Sequence, residues 1–392
     1  INDVFHLSNI LKNELLHIKI IVGGPQVTLF RQDVISRIPN ADIYSSGEGE
    51  ITTLEILDGK PLEEILGIAY RCEAGIKVNP ARPLIEDLDV LPLPARDLLD
   101  TEFYFNPDKN ILVDYSKSYN GDNPRMAEIL TSRGCTMQCS FCACPKIWDK
   151  RVRYHSSKRV VEDINDVIAY GANFAYFNDD FFTMNKKKAI QICDELISSG
   201  MNKKMQWVAQ SRPEVISKEI LLAMKAAGCV RVEFGFESGS QRMLNIMNKN
   251  TLVKQYVKTI EMVKEVGLAI QANIIFGFPG ERKEDVIETI EFLHDTKPES
   301  VLLNAFQPIP GTESYKTILE KGYKLNDSFI PAHPFLTPYN FTDMDDNEYK
   351  TMFWRLMECA PEALNYYLEN KELFCKVSNE FNTAFAPCRK SV

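Results

Sequence analysis

From residue 127 onward, short apolar segments alternate with longer segments whose apolar residues recur at helical spacing. The apolar segments lie near 128–132, 173–178, 206–211, 229–236, 268–277 and 301–307. One intervening segment places Val160, Ile164 and Val167 on a single face, which predicts an amphipathic helix. Six strand–helix units in series predict an α/β fold with a partial TIM-like (β/α)6 barrel, because a complete TIM barrel has eight units.

The fourth of these strands predicts which side of the barrel is polar, because its apolar and polar residues alternate. We expect the apolar set to pack on the outer helices: Val230, Val232, Phe234 and Phe236. We expect the other set inside the barrel, around water or a polar ligand: Arg231, Glu233, Gly235 and Glu237. A core of buried ion pairs is the alternative interpretation.

The N-terminal region follows a different pattern. Apolar segments at 18–23 and 42–44 run into Gly23-Gly24 and Gly47-Glu48-Gly49-Glu50, and a helical segment follows each. Strand, glycine turn and helix in this order are typical of a doubly wound α/β domain. Two such units make only part of a sheet, so 1–65 is predicted to be a partial Rossmann-like segment.

Three further regions complete the predicted organisation. Residues 66–126 combine a hairpin with a linker strap rich in Pro, Asp and Asn. The barrel takes 127–315, and a helical region takes 316–392. The helical region carries an apolar stripe that we expect in the core rather than at a cofactor: Tyr349, Met352, Phe353, Leu356 and Met357.

Composition sets limits on location and partners. Of the 392 residues, 45% are hydrophobic and 25% are charged, and the formal net charge is -9. This acidic balance argues against a broad surface for nucleic acid or anionic membranes. No apolar run is long enough to span a bilayer, and the charged, amphipathic start lacks the pattern of a secretion signal, so we expect a cytoplasmic protein.

Cysteine spacing carries the most specific chemical signal. Cys135, Cys139 and Cys142 form a CxxxCxxC pattern on a loop after the first barrel strand, where three thiolates can converge on one iron–sulfur cluster. Three protein ligands leave one iron open for a substrate, as three-ligand zinc sites leave a position open. The alternatives are unrelated cysteines or a zinc site with Cys144 as a strained fourth ligand. We expect Cys144 to be a packed bystander.

The segment CTMQCSFC resembles the cysteine motif of the radical S-adenosylmethionine superfamily, and the resemblance extends over about 125–315. It implies a 4Fe–4S cluster whose open iron chelates the methionine amine and carboxylate of S-adenosylmethionine. An electron from the cluster cleaves that molecule to methionine and a 5′-deoxyadenosyl radical. The resemblance also implies a small-molecule substrate and a reducing electron donor such as flavodoxin or ferredoxin.

This resemblance implies cofactor contacts at the carboxyl ends of the strands. Phe141 is expected beside the adenine. Asp179 and Asp180 are expected near the methionine amine, although Asn-Asp-Asp departs from the Gly-Gly-Glu of many members. The remaining implied contacts are Gln210 and Arg212 after the third strand, Glu237 at the ribose, Gly277 against the adenine, and Gln307 after the sixth strand.

Two of these implied roles have simpler alternatives. Arg212, which the resemblance pairs with the methionine carboxylate, could form a surface ion pair instead. Gly277 could mark a turn. No residue is assigned as a catalytic acid, base or nucleophile.

The N-terminal segments IIVGGPQVT and IYSSGEGE resemble the second half of a cobalamin-binding domain found in one branch of the superfamily. This implies that the backbone at Gly23 and Gly24 lies against the nucleotide tail of cobalamin, with Gly47 and Glu48 nearby. The DxHxxG loop that carries a cobalt-ligating histidine in many cobalamin proteins is absent from this sequence.

The resemblance therefore implies a cobalamin-dependent methyltransferase acting on an unactivated carbon. A radical cyclase or rearrangement enzyme of the same branch is an alternative. An enzyme like the RNA methylthiotransferases is another, but such relatives usually add a basic RNA-binding domain. A non-catalytic cobalamin or iron–sulfur sensor would not need the contacts implied for Arg212 and Glu237.

Overall fold

The structure, a computed structural model, describes residues 2–15, 17–106, 119, 121, 123–325 and 339–369. Its strands are β1 (Ile21–Val22), β2 (Ile43–Ser45), β3 (Ile68–Cys72), β4 (Gly75–Val78), β5 (Met126–Ile129), β6 (Ser132–Arg133), β7 (Arg153–Tyr154), β8 (Phe174–Phe177), β9 (Gln206–Ser211), β10 (Cys229–Glu237), β11 (Ala269–Phe276) and β12 (Ser300–Ala305). Its helices are α1 (Asn2–Glu14), α2 (Pro25–Arg37), α3 (Glu50–Leu57), α4 (Thr101–Phe105), α5 (Cys144–Ile147), α6 (Ser157–Ala169), α7 (Lys186–Ser198), α8 (Lys218–Ala226), α9 (Gln241–Ile246), α10 (Val253–Val266), α11 (Lys283–Thr296), α12 (Glu313–Glu320), α13 (Asp346–Met357) and α14 (Pro361–Glu369).

Six parallel strands form the main sheet, in the spatial order β12-β11-β10-β9-β8-β5. Each consecutive pair is joined through at least one helix, so the predicted partial (β/α)6 barrel is confirmed. Local signals set the helix ends: the Ser156 hydroxyl accepts from the Arg159 N–H at the start of α6, and Asn185 caps α7 in the same way. None of the helices in the described ranges is both long and apolar enough to cross a membrane.

The central strand β10 has the two different faces that the alternation predicts. Val232, Phe234 and Phe236 are buried in the core formed with the outer helices. Val230 was predicted to share that face but lies in the cluster with Tyr176 on the opposite side. The prediction is wrong there because the register between β9 and β10 shifts at the start of β10, which turns this residue inward.

The N-terminal strands form a separate sheet in the order β1-β2-β3-β4. β1 and β2 are parallel, whereas β2, β3 and β4 pair antiparallel. The predicted hairpin is therefore present as β3 and β4, but it continues the N-terminal sheet. The predicted boundary between 65 and 66 falls inside this sheet, because hydrogen bonding between β2 and β3 crosses it.

The C-terminal helix α13 packs on the barrel, and its predicted apolar stripe is confirmed as core. All five residues of the stripe are buried. The Phe276 ring at the end of β11 lies 4.7 Å from the ring of Tyr349 and 5.6 Å from that of Phe353, centroid to centroid. Helix α13 thus covers the outside of β11, and the parts of the predicted helical region at 326–338 and 370–392 lie outside the described residues.

Candidate active site

Two aspartates after β8 hold the start of the cysteine loop, which we define as residues 134–142. Asp179 Oδ1 accepts from the N–H groups of Thr131 (2.7 Å) and Ser132 (2.9 Å). Asp180 Oδ2 accepts from the Gly134 N–H at 3.0 Å. The backbone that leads into the loop is therefore fixed by side chains from the neighbouring strand.

Asp179 differs from the role that the sequence predicted for it. Its side chain is only 1% exposed and points at the backbone before the cysteine loop, so it does not line the cavity described below. Burial raises the pKa of this carboxyl to about 6, against the hydrogen bonds from Thr131 and Ser132 that lower it. Asp180, by contrast, does line the cavity.

Gly134 lets the backbone directly before Cys135 pass close to the backbone of Arg151. Its φ is 105°, and a Cβ at this position would lie 2.0 Å from the carbonyl oxygen of Arg151. Backbone at that distance cannot move aside as a flexible side chain could, so glycine is required here. The Arg-Gly-Cys sequence therefore encodes the turn that delivers Cys135 to the site.

Three thiols line one cavity of about 610 Å³ at the carboxyl ends of the barrel strands: Cys135, Cys139 and Cys142. Within the described ranges, no three His, Cys, Asp or Glu side chains converge closely enough to hold a single metal ion. An iron–sulfur cluster binds each thiolate through a different iron, so three thiols on one cavity wall fit it.

Cys144 lies closer to the site than the packed bystander that the sequence predicted. Its thiol is hydrogen-bonded with those of Cys135 and Cys142, although it does not itself line the cavity. The bond from Cys144 lowers the pKa of Cys135 to about 7. Burial raises the pKa of Cys139, against the lowering effect of Lys249 and Arg212. Cys144 thus contacts two of the predicted ligands, at the start of α5.

Arg212 lines the cavity directly after β9, but its guanidinium is already engaged. Nε donates to Glu214, and Nη2 donates to the backbone carbonyl of Lys249. Nη1 donates to Cys139 Sγ at 3.1 Å. The structure therefore directs this cation at one of the cysteines rather than into open cavity space.

Lys249 lines the same cavity and was missed by the sequence analysis. It is 3% exposed, and its Nζ donates to Glu237 Oε1 (3.0 Å) and to the Gly235 carbonyl (2.7 Å). It lies between α9 and α10, where no periodicity marks it. Asn248 and Asn250 both have a φ of 53°, a left-handed conformation that asparagine tolerates better than most residues. An Asn-Lys-Asn turn is the signal that could have found it.

Other strands complete the wall of the cavity. Of the residues to which the resemblance pointed, six line it: Phe141, Asp180, Gln210, Arg212, Glu237 and Gln307. The sequence analysis did not single out Asn273 of β11 or Asn304 of β12, which also line it. Their amides give the cavity neutral polar groups that can donate and accept hydrogen bonds.

Gly277 lies outside the cavity, whereas Ile275, two residues earlier, lines it. The Gly277 N–H donates to Glu281 Oε2 at 2.7 Å. Glu281 is 2% exposed, and this burial raises its pKa to about 8. Gly277 therefore belongs to a turn organised by Glu281, and that turn places Phe278 edge-on to Phe141, with ring centroids 6.2 Å apart.

A second cavity, here termed the interdomain cavity, lies between the N-terminal segment and the barrel and has a volume of about 970 Å³. The N-terminal side supplies Gly47, Glu48 and the leucines of α3. The barrel side supplies Arg133 and Trp148, among others. Asp180 lines both cavities, so the two are adjacent. Gly23 and Gly24 do not line the interdomain cavity, although Pro25 does.

Glu48 joins the N-terminal segment to the barrel. Its carboxylate accepts from Arg133 Nη1 (2.6 Å), from Arg153 Nη1 (2.8 Å) and from the N–H of Ile85 (2.7 Å). The Arg153 guanidinium in turn lies 5.4 Å from the centre of the Trp148 ring. Glu48 therefore holds the N-terminal segment against the barrel, and it also lines the interdomain cavity.

Comparison with known proteins places this geometry in a family. Residues 129–293 match the model of the radical SAM superfamily. Over 319 residues the chain is 32% identical to an uncharacterised methyltransferase of Pyrococcus horikoshii, covering 80% of this chain and 66% of that protein. Over 338 residues it is 29% identical to an anaerobic magnesium-protoporphyrin IX monomethyl ester cyclase of Rubrivivax gelatinosus, covering 83% and 57%. The chain thus spans about half to two thirds of the length of such relatives.

Solved structures show the same fold. The radical S-adenosylmethionine methyltransferase TsrM of Kitasatospora setae superposes with a TM-score of 0.67 at 17% identity, over 81% of this chain and 61% of that one. The cobalamin-dependent radical enzyme OxsB superposes with a TM-score of 0.59 at 22% identity, over 81% and 44%. With three thiols on one cavity wall, a matching family model and this fold, the chain belongs to the radical S-adenosylmethionine superfamily.

Proposed function

We propose that this chain catalyses methyl transfer to an unactivated carbon as a cobalamin-dependent radical S-adenosylmethionine enzyme. The observation that carries the proposal is the pair of adjacent cavities that share Asp180 as a wall. Radical methyl transfer needs one place where the radical forms and another that holds the methyl carrier, and both must reach the same substrate atom. Two adjoining cavities meet that requirement.

The cluster cavity, as we now term the cavity lined by the cysteines, would hold a 4Fe–4S cluster through Cys135, Cys139 and Cys142. When bound, the cluster supplies the electron that cleaves S-adenosylmethionine to a carbon radical. The protein holds the ligands in place, because Asp180 fixes the backbone at Gly134 directly before Cys135. An external low-potential donor such as flavodoxin or ferredoxin would deliver the electron.

S-adenosylmethionine would bind in the rest of the cluster cavity. Lys249 would pair with the methionine carboxylate, because it is a buried cation on the cavity wall. Glu237, which shares a hydrogen bond with Lys249, would accept from the ribose hydroxyls. Phe141 and Ile275 would contact the adenine, and Asp180 would accept from the methionine amine. Each assignment uses a group that lines the cavity with the charge or surface that the ligand requires.

Cobalamin would bind on the interdomain side, where it would supply a methyl carrier. Leu54, Leu57 and Leu130 line that cavity while remaining 58%, 76% and 43% exposed. Clustered exposed leucines mark a binding surface, and here polar groups of the N-terminal segment border them. Gly24 has a φ of 99° and open space where a Cβ would stand, so the backbone beside α2 is accessible to a ligand tail.

A radical ring closure at the same site is the second candidate. It is favoured by the 29% identity to the cyclase of Rubrivivax gelatinosus. Both reactions would begin with the same radical and the same cavities. They differ in whether a methyl group from S-adenosylmethionine ends up in the product.

The test is an anaerobic incubation of the reconstituted protein with methyl-labelled S-adenosylmethionine, hydroxocobalamin and a low-potential reductant. We expect 5′-deoxyadenosine to form, cobalamin absorbance to remain after desalting, and label to enter substrates supplied as an extract of the source cells. Formation of 5′-deoxyadenosine without label in any product would favour the cyclase instead. Absence of 5′-deoxyadenosine from protein that carries a full complement of iron would overturn both candidates.

A further inference from the structure

Arg212 is bound so that one edge of its guanidinium faces a cysteine of the proposed cluster. Nη1 lies 3.1 Å from Cys139 Sγ, while Nε and Nη2 are held by Glu214 and by the carbonyl of Lys249. A planar guanidinium fixed through two other nitrogens cannot turn away from the sulfur without breaking one of those bonds. Because Arg212 is 8% exposed, water screens this contact poorly.

The loop that fixes Arg212 is also attached to the cysteine loop. The Met247 carbonyl accepts from the Ser140 N–H at 2.9 Å. The Asn248 side-chain amide donates to the Gln138 carbonyl at 2.7 Å. These contacts lie on both sides of Cys139. Residues 247–249 therefore bind both Arg212 and the cysteine loop, which fixes the distance between the guanidinium and Cys139 Sγ.

We propose that Arg212 raises the reduction potential of the cluster through Cys139, instead of binding the methionine carboxylate. This inference rests on the proposed cluster at the three cysteines. In the step concerned, a flavin or iron–sulfur protein passes one electron to the oxidised cluster, and no covalent bond forms or breaks. The added negative charge is spread onto the ligand sulfurs, so the hydrogen bond from Arg212 stabilises the reduced form more than the oxidised form.

The role is one of tuning, because Arg212 acts through a ligand sulfur and not on the substrate. It also explains why the cavity has two buried cations. The Lys249 ammonium donates to Glu237 and to the Gly235 carbonyl and has a third N–H left for a ligand, whereas Arg212 is committed to the sulfur. Hydrogen bonds to cluster sulfurs are among the main determinants of cluster potential, so removing this one has a measurable consequence.

The test is an EPR-monitored reductive titration of the reconstituted protein without S-adenosylmethionine, for the wild type, Arg212→Gln, Arg212→Lys and a control. Lys146→Gln is the control, because it removes a positive charge four residues after Cys142 and its ammonium contacts a carbonyl, that of Gly311. We expect Arg212→Gln to lower the reduced-to-oxidised ratio about tenfold at a given donor potential, equivalent to about 59 mV for one electron. The control should change it less than about twofold.

Iron and sulfide content of the wild type tests the cluster itself, so failure of the proposed function is distinguished from failure of this inference. If Arg212→Gln does not load, Arg212→Lys serves, because the single nitrogen of lysine cannot reproduce the three contacts that Nε, Nη1 and Nη2 make. A lowered potential supports the inference. An unchanged potential in the loaded variant, or an equal shift in the control, overturns it. A variant of Arg212 that loses S-adenosylmethionine affinity at an unchanged cluster potential would show that Arg212 binds the methionine carboxylate instead.

Discussion

The cluster cavity and the interdomain cavity are adjacent, yet the chain builds them in different ways. The proposed ligands of the first lie within 135–142, and strand ends supply most of the remaining wall. The second is formed by 25–57 on one side and 130–180 on the other, joined through ion pairs of Glu48. A site built on one loop survives small shifts between domains, whereas a site between domains depends on every contact that fixes them together.

Their surfaces differ as well. The cluster cavity contains the buried cations Arg212 and Lys249 beside Glu237, so its ligand should be charged. The interdomain cavity combines exposed leucines with charged groups such as Glu48 and Arg133, so its ligand should present a large apolar surface edged by polar groups. S-adenosylmethionine and cobalamin differ in this same sense, which supports assigning one to each cavity.

The largest expected effect is loss of the iron–sulfur cluster when its three ligands are replaced. The triple substitution of Cys135, Cys139 and Cys142 by alanine should reduce bound iron from about four per chain to less than one, because no thiolate remains on the cavity wall. Iron and sulfide analysis after anaerobic reconstitution measures this. Cys359→Ala, at a half-buried cysteine between α13 and α14 that does not line the cavity, is the control and should load fully. Full loading of the triple variant would remove the cluster from this cavity.

Removing the Glu48 carboxylate should destabilise the interface that forms the interdomain cavity. Glu48→Ala leaves Arg133 and Arg153 without their buried carboxylate, which typically costs about 3–5 kcal/mol in the free energy of unfolding. Glu50→Ala removes an exposed partner of Arg133 and should cost at most about 1 kcal/mol. Urea denaturation compares the two. Equal costs would show that the buried carboxylate does not hold the interface.

The Glu48 effect should also depend on pH. Burial raises the pKa of Glu48, but hydrogen bonds from Arg153, Ile85 and Arg133 outweigh burial and lower it below its usual range. A carboxyl with a lowered folded pKa contributes stability above its unfolded pKa, near 4.3, and this contribution is lost as pH falls through the folded value. The difference between wild type and Glu48→Ala should therefore shrink between about pH 5 and pH 3. A difference that stayed constant over this range would exclude the ionised pair as its source.

A third change separates the two cations of the cluster cavity. Lys249→Met should weaken S-adenosylmethionine binding about ten- to a hundredfold, because a charge-assisted hydrogen bond is worth about 1.5–3 kcal/mol. Equilibrium dialysis on cluster-loaded protein measures the affinity. Lys254→Met, on the exposed side of α10, is the matched control and should bind normally. Equal affinity in both variants would place the methionine carboxylate elsewhere.

The smallest expected effect concerns the nucleotide tail of cobalamin. A Cβ at Gly23 would lie 3.5 Å from the Ser45 carbonyl oxygen, an ordinary contact, so Gly23→Ala and Gly23→Val should fold. Gly24 is a poorer test, because its positive φ would strain any replacement. Valine should reduce cobalamin retained after desalting about fivefold and alanine less, in proportion to the volume added. Equal retention in wild type and both variants would show that the tail does not approach Gly23.

The sequence predicted most of the fold because its signals are local. Strand and helix periodicities gave the six-stranded barrel, and the α13 stripe gave a core helix. Val230 was misplaced because a register shift between two strands leaves no mark in the pattern of either one. The hairpin was separated from the N-terminal sheet for a similar reason, since pairing between β2 and β3 joins residues more than twenty positions apart.

The sequence by itself determined the chemistry that a short segment can hold: three cysteines on one loop and polar residues at strand ends. Tertiary structure alone decided which of these groups face a cavity. It pointed the Asp179 side chain at the backbone of Thr131 and the Arg212 guanidinium at Cys139. It also placed Lys249 in the wall of the cluster cavity. The reason is that a side chain's partners are set by elements distant in sequence, and burial forces every charge to find one.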